Sequence, residues 1–226
     1  MIPIAICTFA RPRPYLYATL SSIQASDAQD TDIHLCVGSP DHDYAAPHVN
    51  RRVHLHPLVL EEWATIQDAT LAQKSNWNYR RCLSFASDQG LIVLEDDVLV
   101  RPDWMHGLAK TVEEMRTHSR AGYALSLYYP QGVKLIRRGT YYQSYLAHTF
   151  YGSQAVYYPP GQAETACQWL TTHHNRNIDM ALREWFIKAQ NVYAPIKSLA
   201  QHLGFTTTGL AQHMHRSPNF HHYWPA

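Results

Sequence analysis

No stretch of this 226-residue chain is apolar for long enough to cross a bilayer: the longest runs, such as Leu91 to Leu94, fall far short of about 20 residues. A surplus of one charge is missing as well. With 19 Lys and Arg against 18 Asp and Glu the formal net charge is +1, which provides no broad field for gripping a phosphate backbone, so nucleic acid is not an expected partner. Charged residues are scarce at 16% against 46% hydrophobic, a balance that excludes a disordered chain. Cysteine is scarce too. Cys7, Cys36, Cys82 and Cys167 show no C-x-x-C spacing, and the first three lie in apolar segments where a thiol acts as a small core residue, so reduced thiols are expected. The opening Ile2-Pro3-Ile4-Ala5-Ile6-Cys7 has neither a basic start nor a cleavable apolar stretch, and the expected location is cytoplasmic.

Tyrosine and histidine are abundant, 15 of each. Tyrosine combines a flat apolar face with a hydroxyl edge, which suits a sugar-stacking surface and a mixed core equally well. The histidines are scattered, and the group His213, His215, His221 and His222 is too loose for a zinc site.

Short apolar runs alternate with amphipathic stretches, the pattern of a sheet flanked by helices, and the length suits one α/β domain over 1–226 with a sizeable core. Strands are expected at Ile4 to Cys7, Ile33 to Val37, Val53 to His56, Leu91 to Leu94, Tyr123 to Tyr128, Gln154 to Tyr158 and near Val192. Helices are expected at Arg13 to Gln24, Ser75 to Ala86 with Trp77, Cys82 and Phe85 near one stripe, Pro102 to about His118, Gln162 to His173, and Asp179 to Ala189. Between them, Pro130 to Ser153 is rich in tyrosine and broken by glycine, which reads as a hairpin or loop layer.

Three acids, Glu95-Asp96-Asp97, abut the apolar strand Leu91 to Leu94. Burying ionised carboxylates costs several kcal/mol each unless a cation compensates, so acids at the carboxyl end of a central strand point to a metal or a basic partner, a solvated acidic turn being the plain alternative. Oxygen ligands favour Mg²⁺ or Mn²⁺, which leave coordination positions open to phosphate oxygens.

With this block in place, three segments together resemble a GT-A fold glycosyltransferase: I-A-I-C-T-F-x-R-P at the start, L-I-V-L-E-D-D-V-L-V-R-P-D-W-M in the middle and S-L-A-Q-H-L-G near the end. The likeness is strongest to the catalytic core of N-acetylglucosaminyltransferase IV type enzymes and looser to inverting family 2 transferases, and it covers most of 2–209. It implies a single Rossmann-like domain with a mixed central sheet flanked by helices. It also implies a nucleotide-binding half over 1–100, an acceptor-side half over 101–212 and a tail over 213–226.

The resemblance implies roles residue by residue. Asp97 matches the last acid of the family's D-x-D motif, the metal ligand. Glu95 stands where many relatives have Asp, and Asp96 would face the ribose or the donor sugar. His202 matches the histidine that completes the metal site, and imidazole beside carboxylate tilts the choice toward Mn²⁺. Thr8, Phe9 and Arg11 match the opening nucleotide loop, although Arg11 also fits an exposed helix start. Asp41 matches a reader of uracil or a plain turn. Asn78 and Arg81 match contacts to nucleotide or donor sugar, or a solvated helix face. Tyr151 and Gly152 match the segment before the acceptor-side strand, with Gly152 letting backbone approach the sugar. Trp185, with Tyr141, Tyr142 and Tyr145, would offer stacking surfaces, or belong to the core.

Asp179 matches the acid at the start of the acceptor-side helix and is the expected base, the competing role being an N-cap; Glu184 is the reserve. Together these imply a metal-dependent inverting transfer of a sugar from a nucleotide donor, a UDP-sugar such as UDP-GlcNAc, to a hydroxyl of a glycan or other acceptor. The competitors are a noncatalytic carbohydrate-binding protein on the same fold and a nucleotidyltransferase. The second expects a glycine-rich loop where this chain has Thr8-Phe9-Ala10-Arg11-Pro12.

Overall fold

Parallel pairing fixes the centre of the molecule. In the computed structural model, which describes residues 1–10, 15–118, 122–203, 217, 219 and 220, strand β1 (Ile4–Thr8) lies between β2 (Ile33–Val37) and β4 (Leu91–Glu95), parallel to both. Ile4 to Ile6 and Leu91 to Leu94 are fully buried, as strands covered on both faces must be. Burying each such aliphatic side chain contributes about 1.5–3 kcal/mol.

The helical units are α1 (Leu16–Gln24), α2 (Leu60–Ile66), α3 (Leu71–Leu83), α4 (Trp104–His118), α5 (Gln162–Thr172) and α6 (Ile178–Lys188). The other strands are β3 (Val53–His56), β5 (Val98–Val100), β6 (Tyr123–Ser126), β7 (Leu135–Arg137), β8 (Tyr142–Tyr145), β9 (Ala155–Tyr158), β10 (Asn191–Pro195) and β11 (Ala200–His202). Among the described residues, nine strands form one mixed sheet in the order β3-β2-β1-β4-β9-β6-β10-β8-β7. β9 runs antiparallel between β4 and β6, so the two halves of the chain share one sheet. This is a single Rossmann-like α/β domain with a mixed central sheet flanked by helices, consistent with the GT-A fold.

Alternation along β1 divides the core. Ile4 and Ile6 face a layer with Leu16 and Leu20 of α1 and Leu108 of α4, while Ala5 and Cys7 face Tyr79 and Cys82 of α3, Ala166 of α5 and Leu182 of α6. Cys7, Cys36, Cys82 and Cys167 are all free thiols, the first three buried.

Helix α3 begins four residues before the expected Ser75. Thr70 and Gln73 form a reciprocal cap there: the Thr70 amide donates to Gln73 Oε1 at 2.8 Å and the Gln73 amide to Thr70 Oγ1 at 3.3 Å. Its buried stripe is Tyr79, Cys82 and Leu83; Trp77 lies outside the core, under the Arg81 guanidinium at 4.9 Å from the ring. The expected loop layer contains the β7–β8 hairpin. The apolar triplet Val98-Leu99-Val100 is itself a strand, β5, paired antiparallel with β11. No helix among the described residues is long and apolar enough to cross a membrane.

Candidate active site and cation centre

The register of the parallel strands brings the functional segments to one edge. Cys7 pairs with Cys36 on one side and with Glu95 on the other, so Thr8, Val37 and Glu95 finish together. Open α/β sheets bind ligands outside these carboxyl ends.

From Glu95 the chain turns through Asp96 and Asp97 into β5. The Asp96 carbonyl accepts from Thr19 Oγ1 at 2.7 Å, and the same hydroxyl accepts from the Val98 amide at 3.2 Å. Ser22 Oγ accepts from the Val100 amide at 3.2 Å. Two hydroxyls of α1 thus serve the side of β5 that has no strand neighbour, while β11 pairs with the other. That ribbon sets His202 opposite Val98, and the Leu203 amide donates to the Asp97 carbonyl at 2.7 Å.

His202 Nε2 consequently lies 3.1 Å from Asp97 Oδ2, across 105 positions of sequence, with Asp97 2% and His202 6% exposed. Glu95 joins them: one ligand atom from each of Glu95, Asp97 and His202 lies within 4.8 Å of the other two. Two carboxylates and an imidazole converging in a buried place fit a divalent cation, and the nitrogen ligand favours Mn²⁺ over Mg²⁺. The donor set therefore fits a divalent cation.

Asp179 stands beside this cluster. The N-cap of α6 is Asn177, whose Oδ1 accepts from the Asp179 amide at 2.9 Å, so Asp179 is freed from the capping role. Its Oδ1 accepts from the Ser153 amide at 3.1 Å, and Ser153 Oγ donates to Glu95 Oε1 at 3.2 Å. Burial pushes the Asp179 carboxyl above the usual carboxylate range, opposed by the hydrogen bonds from Ser153 and Gly152 and by the Arg183 charge. A carboxylate lifted in this way is a better proton acceptor.

The remaining expected residues fall into distinct places. Thr8 Oγ1 donates to Asp96 Oδ2 at 2.6 Å and the Phe9 amide reaches the same oxygen at 3.3 Å, so Asp96 is turned to the loop after β1. Arg11 lies outside the described residues, as do Gly204 and all of the tail except Ser217, Asn219 and Phe220. Asp41 is exposed in the loop after β2, where its carboxylate accepts from the Asp43 amide at 3.2 Å.

Asn78 is fully buried. Its amide nitrogen reaches the Thr8 and Cys36 carbonyls at 3.3 and 2.8 Å, which makes it a brace beneath the loops after β1 and β2. Arg81 braces the same region from outside, donating to the Val37 and Pro57 carbonyls at 2.8 Å each.

Tyr151 is half-buried, and burial pushes its hydroxyl up to about 12. Gly152 is needed by the protein's own packing: a Cβ there would lie 2.4 Å from Ser126 Oγ and 3.0 Å from the Tyr128 carbonyl. Trp185 is 2% exposed among Tyr158 and Phe186, a core ring with no open face, and Tyr142 and Tyr145 are buried as well. Glu184 pairs with Arg176 at 2.5 Å, an ordinary ion pair. Ser153, Thr19 and Tyr44, whose hydroxyl lies 3.2 Å from Thr8 Oγ1, are the site residues that sequence reasoning missed. Serine and threonine are too common for any one of them to stand out without coordinates.

No protein-family model matches the chain, and no curated protein matches it. Solved structures do. The chain is similar to TarS of S. aureus, with 10% identity and a TM-score of 0.54 over 85% of this chain and 36% of that one. It is also similar to a protein named mannose-1-phosphate geranyltransferase from Thermus thermophilus, with 13% identity and a TM-score of 0.51 over 86% of this chain and 73% of that one. A third is the glycosyltransferase GlyE of Streptococcus pneumoniae, with 9% identity and a TM-score of 0.50 over 85% of this chain and 45% of that one. The chain thus spans about a third of the first structure and under half of the third. At these identities the likeness establishes the fold.

Proposed function

We propose that this protein is a metal-dependent inverting glycosyltransferase that moves a sugar from a nucleotide donor, a UDP-sugar, to a hydroxyl of a glycan or other acceptor. The observation that carries the reading is the meeting of Asp97 with His202 beside Glu95, at the carboxyl edge of a GT-A-like sheet. One structural neighbour supports it by its name: GlyE is called a glycosyltransferase.

Asp97, His202 and Glu95 would hold Mn²⁺, which when bound supplies positive charge against the departing diphosphate. Thr8, Phe9 and Asp41 border the edge where a nucleotide would lie, with Asn78 and Arg81 holding that border in shape. Asp179 accepts the acceptor hydroxyl proton, aided by its raised proton affinity. Attack from the face opposite the diphosphate inverts the anomeric carbon. Metal charge is the larger electrostatic contribution, while removing a general base typically costs about 10² to 10⁴ in rate.

The test is thermal stabilisation by a panel of nucleotide sugars with and without Mn²⁺. A ligand present at 100 times its Kd stabilises a fold by about 2.7 kcal/mol. Stabilisation by a UDP-sugar that needs Mn²⁺ and disappears in Asp97→Asn is the expected result; stabilisation indifferent to both would overturn the metal assignment. Mn²⁺-dependent binding with neither transfer nor donor hydrolysis would instead identify a binding protein on a transferase fold.

A further inference from the structure

The far end of the β5–β11 ribbon, away from His202, opens on a separate hollow of about 270 Å³. The Arg101 amide donates to the Leu199 carbonyl at 3.1 Å there, closing the ribbon at that end. From Leu199 to His202 the strand advances about 10 Å, so the hollow and the acidic cluster are neighbours along one rigid element. Gly107, Pro195, Ile196 and Leu199 give the hollow an apolar lining, and Gly107 has a steric reason: a Cβ there would sit 2.8 Å from Leu199 Cδ2. Tyr141, 41% exposed, forms a wall.

The charges around it do not balance. Asp103 contributes the carboxylate of the lining, and Arg101 holds it with two hydrogen bonds, Nε to Oδ1 at 3.1 Å and a terminal nitrogen to Oδ2 at 3.4 Å. That pair neutralises itself. Lys110, whose ammonium stands 5.5 Å above the Tyr141 ring, and Lys197 have no carboxylate within ion-pair distance among the described residues. Glu114, one turn of α4 from Lys110, binds the Thr140 and Tyr141 amides of the lining at 2.8 Å each, so with Arg101 and Asp103 cancelling, the two lysines leave the hollow one positive charge in excess. They come from different elements, Lys110 from α4 and Lys197 from the loop between β10 and β11, so the fold gathers them.

We propose that this hollow binds an anionic group, a phosphate or a carboxylate, carried by the sugar acceptor. Lys110 and Lys197 meet the charge, and the exposed Tyr141 side chain meets the adjoining ring. The acceptor role rests on the transferase reading above; the anion site itself rests on the hollow alone.

The experiment titrates the full-length, ¹⁵N-labelled protein in EDTA with inorganic phosphate, glucose 6-phosphate and neutral glucose, following the amides of Gly107, Lys110, Thr111, Tyr141 and Lys197. Both anions should shift these amides, glucose 6-phosphate at lower concentration than phosphate, and glucose at the same concentrations should not. The double variant Lys110→Ala/Lys197→Ala should weaken anion binding by at least about tenfold, as expected when charge-assisted contacts are lost. Lys110→Arg/Lys197→Arg, which keeps the charges, should retain it. Shifts scattered over the surface, or unchanged affinity in the alanine variant, overturn the proposal. Anion binding here in a chain that ignores UDP and Mn²⁺ supports the site while overturning the transferase reading. A silent hollow in a chain that binds UDP with Mn²⁺ does the reverse.

Discussion

Ser153 links two carboxylates: its amide donates to Asp179, and its hydroxyl donates to Glu95 while also easing the burial of Asp179. A cation ligand is held in aim by the groups hydrogen-bonded behind it, and losing such a group typically costs about 10- to 100-fold in metal affinity. Ser153→Ala keeps the amide on Asp179 and removes the hydroxyl from Glu95, so Mn²⁺ affinity should fall by about tenfold, read by the electron paramagnetic resonance of free Mn²⁺. Ser126→Ala removes an equally buried hydroxyl, one that donates to the Tyr128 carbonyl, and should leave Mn²⁺ affinity alone. Equal losses in the two variants would reduce Ser153 to packing.

Asp179 carries a prediction with a definite sign. Its folded-state pKa lies above the unfolded value, so the stability linked to its proton is fully present below about pH 4 and is lost as pH rises through the raised folded value. Asp179→Asn keeps an acceptor oxygen for the Ser153 amide and removes the buried charge. The variant should melt higher than the parent at neutral pH, with the gap closing toward about pH 4, while transfer falls by about 10² or more. A variant less stable than the parent at neutral pH would contradict this.

At the scale of elements, the decisive one is the short strand β5. Val98-Leu99-Val100 follows the acids directly and reads in sequence as their apolar continuation; no turn signal marks it as a strand. Its partner β11 lies a hundred residues away, and its other side is served by hydroxyls of α1. Thr19→Val preserves shape but leaves the buried Asp96 carbonyl and Val98 amide without that hydroxyl. The expected loss of stability is about 2 kcal/mol or more by urea denaturation, well above that of an ordinary surface change. Helix α3 teaches the opposite lesson. Its Thr70-x-x-Gln73 cap is present in the sequence, with Thr70 five residues ahead of the Ser75 start that hydrophobic spacing alone predicts.

At the scale of the whole molecule, the Asp97–His202 contact closes a loop from residue 97 to residue 202 through the β5–β11 ribbon. Binding Mn²⁺ should therefore slow hydrogen exchange at amides remote from the acids in sequence. The Leu203 amide, bonded to the Asp97 carbonyl, and the β11 amides should gain protection in the parent and not in Asp97→Asn, as followed by mass spectrometry. Protection confined to residues near Glu95 would show that the ribbon does not share in binding.

The sequence by itself determined the α/β class, the central strands and the acid block, because apolar periodicity and three adjacent carboxylates are local signals that survive without coordinates. It also put Asp97 and His202 forward together, but through a resemblance, since no physical rule links two residues so far apart in the chain. The tertiary structure alone decided that they touch, that Ser153 joins Glu95 to Asp179, and that Gly152 and Trp185 serve packing. It alone gathered Lys110 and Lys197 at one hollow. Each of these depends on strand register and on the crossing of distant elements, and such long-range pairings are fixed by how the whole sheet buries its two faces.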